Sequence, residues 1–64
     1  MNVVVGRLVA IRDEGCTGIL SLRGARIEVA LDLVPGVAVG DCVLVEAGVA
    51  LSRLDAREED DPCV

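Results

Sequence analysis

Residues 26–55 read RIEVALDLVPGVAVGDCVLVEAGVALSRLD, and the order of signals in this stretch decides the fold. Arg26, Glu28 and Ala30 alternate with Ile27, Val29 and Leu31, the period-2 pattern of a strand with one apolar face. Pro35 lacks an N–H and restricts Val34, so the strand stops before Asp32-Leu33-Val34-Pro35-Gly36. A short 3₁₀ turn is expected there, with Leu33 tucked under the sheet. Val39-Gly40-Asp41 then turns the chain into a buried strand over 42–46. Gly48 breaks it, and a last strand over 49–54 runs up to Asp55.

Working back towards the N-terminus, residues 3–12 predict a first strand. Val3, Val5, Val9 and Ile11 share one parity and Val4, Leu8 and Ala10 the other, so it is apolar on both faces. Such a strand is covered on both sides or bends between two sheets. Gly6 is the expected bend or bulge. Residues 13–18 form a polar loop with Gly15 and Gly18, residues 19–22 a short second strand, and Arg23-Gly24-Ala25 a tight connection. Five short strands at this spacing predict an all-β fold, a small five-stranded barrel of the oligonucleotide-binding (OB-like) kind. The domain is expected over 1–54, with an acidic C-terminal helix or tail over 55–64 that Asp55 caps.

The chain has 64 residues and no Phe, Tyr or Trp, so aliphatic side chains must build the core of a small domain. No apolar run approaches the ~20 residues of a membrane helix, and the start lacks the basic region of a signal peptide. A soluble cytoplasmic protein is expected. The net charge of −5 is uneven. Residues 1–54 hold five Arg against six acids, a balance of −1, and residues 55–64 hold one Arg against five acids, a balance of −4.

These residues exclude several functions. There is no His to act as a general base near neutral pH, and an enzyme is not expected. Single-strand nucleic-acid readers stack bases on aromatic rings along a positive groove; this chain has neither aromatics nor Lys. Cys16, Cys42 and Cys63 are odd in number without CxxC spacing, which argues against a disulfide framework and a structural zinc site. Cys42 reads as a small core residue, Cys63 as incidental, and Cys16 as an exposed loop residue and the best candidate for a reactive thiol. The run Glu58-Glu59-Asp60-Asp61 reads as solvated, not as a metal site. What remains is a surface for a protein partner, with the edge of the first strand and Val3 to Val5 as candidates, although those valines would equally well fill the barrel.

The stretch resembles the HypC/HupF family of [NiFe]-hydrogenase maturation chaperones. The resemblance is carried by Glu28-Val29-Ala30-Leu31, Leu33-Val34-Pro35, Val39-Gly40-Asp41 with Val43-Leu44-Val45, Ala47-Gly48 with Ala50-Leu51, and Leu54-Asp55 before the acids. Residues 6–11 resemble the family's first strand. The resemblance implies an OB-like barrel that binds a large-subunit precursor or an assembly scaffold protein and helps deliver an iron–dicyanide–carbonyl unit through a Cys placed after the initiator Met. Here Asn2 stands at that place, and Asn cannot supply a soft thiolate to iron. The expected cofactor and resident metal are therefore none. The expected partner-binding residues are Met1, Asn2, Val3 and Val4 on the first strand and Asp32, Leu33 and Pro35 on the turn, in a monomer or homodimer without nucleic-acid or membrane partners. The alternative is a structural assembly barrel, because residues 4–12 are similar to the start of microcompartment vertex proteins, which form pentamers.

Overall fold

The computed structural model describes residues 3–54 and residue 63. Five strands form one mixed sheet that closes into a ring: β1 (Val3–Arg12), β2 (Thr17–Leu22), β3 (Ala25–Ala30), β4 (Cys42–Glu46) and β5 (Val49–Leu54). Their order around the ring is β1-β2-β3-β5-β4. Every pairing is antiparallel except that of β3 with β5, which join in parallel through Ala30↔Val49. The expected OB-like barrel is thus a ring whose closure rests on one narrow seam, reinforced by the Ala30 N–H donating to the Gly48 carbonyl at 2.9 Å. The expected terminal helix or tail lies outside the described residues.

The ring closes because β1 serves two partners. Its first half, Val3 to Arg7, pairs with β4 from Glu46 to Cys42. Its second half, Arg7 to Arg12, pairs with β2 from Ser21 to Thr17. The bulge falls between Leu8 and Ala10, so Val9 is the extra residue and turns outward. Gly6 is not the bulge. It is buried, and a Cβ there would lie 3.2 Å from a Leu20 methyl and 3.4 Å from the Ser21 carbonyl. Both two-residue hairpin turns, Arg23-Gly24 and Ala47-Gly48, have positive φ at each residue, the mirror-image turn that matches strand twist.

The core is aliphatic throughout: Leu8, Leu20, Val29, Leu31, Val34, Val43, Val45 and Ala50. Removing each Leu or Val side chain from water contributes about 1.5–3 kcal/mol. Ile27, Val29 and Leu31 face inward as the alternation predicts. The strand after the polar loop starts earlier than expected, at Thr17, so Gly18 belongs to β2 and packs inside the ring.

Two expectations about the 32–36 segment are corrected. Leu33 is 62% exposed, and Val34, at 8%, is the side chain that plugs the ring. The segment is a hydrogen-bonded turn without 3₁₀ helix, with Val34 N–H donating to the Leu31 carbonyl at 3.1 Å. Leu31 already points inward, and that bond folds the chain back so that Val34 returns to the core. The 3₁₀ turn forms elsewhere, at Asp13–Gly15.

The cysteine expectation is also corrected: Cys42 and Cys63 are disulfide-bonded, with Cα atoms 5.9 Å apart. Cys42 is buried, 3% exposed, as expected, yet it does not belong to the core cluster. Val43 and Val45 take the inward parity of β4, which leaves Cys42 on the outer face, where Cys63 bonds to it. Cys63 is therefore a structural partner. A separation of 21 residues carries no spacing signal from which the pair could have been read.

Candidate partner-docking surfaces

The first surface is the N-terminal half of β1. β2 ends at Leu22 and its pairing with β1 begins at Arg7↔Ser21. Residues 3–6 therefore have a strand neighbour, β4, on one side only among the described residues. Unpaired N–H and C=O groups on such an edge can template an added strand. The valines divide their roles. Val4 packs against the core, whereas Val3 is 48% exposed and Val5 shares its parity. Val4 thus fills the ring, as one reading of this segment expects, and Val3 is left exposed. Met1 and Asn2 lie outside the described residues.

The second surface is the turn after β3. Asp32, Leu33 and Pro35 are all exposed. A shallow groove separates the turn from β5, with Leu33, Pro35 and Val37 on one wall and Leu51 and Arg53 on the other. Leu33 and Leu51 are exposed large apolar side chains on opposite walls. β5 pairs with β3 only at Val49, so its continuation along the groove is hydrogen-bonded to β4 alone.

One row of pairings links these surfaces. Val3 pairs with Glu46, Glu46 with Val49, and Val49 with Ala30, two residues before Asp32. Cys16 adjoins the turn, because its carbonyl accepts from Leu31 N–H at 2.8 Å. Cys16 is exposed and free, as expected. The sequence held no sign that Cys16 would lie beside the 32–35 turn; the β2–β3 register brings it there.

Val39-Gly40-Asp41, one of the motifs in the diagnostic stretch, works as a clasp between the loop and β1. Leu8 N–H donates to the Asp41 carbonyl and Gly40 N–H to the Leu8 carbonyl, both at 2.9 Å. The Asp41 carboxylate accepts from Ala38 N–H at 2.9 Å and lies 3.9 Å from the Arg53 guanidinium. Arg7 donates to the Gly40 carbonyl at 2.8 Å. These are structural duties that hold the loop against the ring.

No cluster of three or more His, Cys, Asp or Glu suited to a metal ion occurs among the described residues, and no helix there is long and apolar enough to cross a membrane. The model of the HupF/HypC family matches residues 3–61. The chain belongs to the HupF/HypC family. At family level this makes it a hydrogenase-maturation-type accessory chaperone. The match begins at residue 3, leaving Met1 and Asn2 outside it. A search of curated proteins found no match.

Proposed function

We propose that this HupF/HypC protein is a non-enzymatic cytoplasmic adaptor that binds a [NiFe]-hydrogenase large-subunit precursor or an assembly scaffold protein. Its contacts are the open edge of β1 at residues 3–6 and the turn bearing Asp32, Leu33 and Pro35. The observation that carries the proposal is the family match over residues 3–61, on a ring that exposes Val3 and Leu33 and in which, among the described residues, residues 3–6 have a strand neighbour on one side only. An incoming strand would gain main-chain hydrogen bonds from β1 and side-chain burial from Val3 and Leu33.

Delivery of the iron unit through the N-terminus is not part of this proposal. The unit is cargo that calls for a soft thiolate. Asn2 offers none, and Cys42 and Cys63 are tied to each other. Co-purification of the tagged protein with candidate large subunits and scaffolds tests the docking role. Retention that falls several-fold on Leu33→Asp or Val3→Asp is expected; retention of no such partner would overturn it. The purified protein should lack iron–cyanide infrared bands, and their presence would show that another thiol holds the unit.

A further inference from the structure

The charges on the outside of the ring are sorted. Of the five arginines in the described residues, Arg7, Arg12, Arg23 and Arg26 all belong to β1 or the β2–β3 hairpin. Glu28 is the only acid in β1, β2 and β3. The register aligns Arg7, Ser21 and Arg26 in one row across the three strands. Ser21 and Arg26 are exposed, and the adjoining row of Leu8, Leu20 and Ile27 faces the core. Beyond the bulge, Arg12 pairs with Thr17 on the same outer parity.

These positive charges are available in different ways. Arg12, Arg23 and Arg26 make no ion pair among the described residues, so three guanidinium groups on one face retain their bidentate donor capacity. Arg7 is held on the Gly40 carbonyl and adds a fixed positive charge at the end of the row. Between them lie aliphatic side chains, with Ser21 and Glu28 among the lining residues. Two shallow grooves meet at Val9, the outward bulge residue, one floored by Val5 and Leu22 and the other by Ile19.

Guanidinium groups beside exposed aliphatic side chains fit carboxylates alternating with aliphatic side chains. Nucleic acid is a poorer fit, since no aromatic ring is present to stack a base. At physiological ionic strength the Debye length is about 8 Å, so a ligand on this face responds mainly to the charges within that reach. We propose that the outer face of β1–β2–β3 docks an extended acidic protein segment, its carboxylates on Arg12, Arg23 and Arg26 and an aliphatic side chain against Val9. This surface adjoins the β1 edge through Val5, and nothing in it requires the partner to be a hydrogenase.

Fluorescence anisotropy of a labelled peptide of alternating Glu and Leu, about ten residues long and so able to cross the three strands, tests the proposal on the full chain. Binding is expected at low ionic strength. It should weaken as the Debye length falls from about 30 Å to about 8 Å. Arg26→Glu should weaken it roughly fivefold, the upper range for one exposed ion pair, and Arg23→Glu combined with it should weaken it further. Arg53→Glu, which makes the same charge change on β5, should leave binding within error. Circular dichroism checks that each variant is folded. The proposal is overturned by no binding of the acidic peptide at low salt, by an equal loss in Arg53→Glu, or by tighter binding of an oligothymidylate of the same length. Because the probe is a generic peptide, any of these outcomes leaves the co-purification test of client docking intact.

Discussion

Gly18 shows how much one missing side chain carries in a ring this small. It pairs with Ile11 on one side and Val29 on the other. A Cβ there would stand 2.5 Å from a Leu8 methyl and 3.0 Å from both Leu31 methyls. Those two leucines are 1% exposed and have nowhere to retreat. Gly18→Ala is therefore expected to cost about 1–3 kcal/mol, the range for overpacking a tight core, seen as a lower urea midpoint at unchanged slope. An unchanged midpoint would mean that the core can give way. Gly15→Ala is destabilised for a different reason, since Gly15 has φ +96° with open space around it. In the sequence both glycines read as loop residues beside Cys16, because local composition cannot distinguish a glycine needed for a turn from one needed for close approach. Leu33 and Val34 show the same limit. Adjacent apolar residues before a proline leave open which one goes inside, and the hydrogen bond from Val34 to Leu31 decides it.

At the scale of elements, four of the strands were legible from alternation and turn residues. β1, β4 and β5 occupy the expected spans, and β3 is displaced by one residue. The miss in β2 is two residues at its start, where Thr17-Gly18 carries turn-type composition but pairs with Ala30 and Val29. The bulge at Val9 was not legible because it is a property of the pairing, set by how the β4 and β2 registers meet on one strand. The disulfide is likewise an element-level device. It ties the segment after β5 back to the first residue of β4, which itself pairs with Leu54. Closing a loop of 21 residues lowers the entropy of the unfolded chain by an amount worth about 3 kcal/mol in the chain-entropy model. Adding a dithiol reductant should lower the stability of the wild type by about that much and leave Cys42→Ser unaffected; equal responses in the two proteins would contradict a role for this bond. In a reducing compartment the bond is open to thiol–disulfide exchange.

For the whole molecule, the decisive property is a ring that is closed yet, among the described residues, leaves residues 3–6 with a strand neighbour on one side only. Closure removes most of the exposed edge that would otherwise drive self-association, so a monomer or homodimer is expected by sedimentation or light scattering. A pentamer would instead favour a structural assembly barrel. The sequence by itself determined the aliphatic core, the strand succession, the family resemblance and the absence of His and aromatics, because these depend on residue identity and local period. Only the tertiary structure decided that Cys42 faces Cys63, that Val34 plugs the ring, that one row of pairings links Val3 to the start of the 32–35 turn, and that four arginines gather on one outer face. Each of these depends on cross-strand register, which couples residues far apart in the chain. Register is fixed by packing the whole ring at once, so no local stretch of sequence carries it.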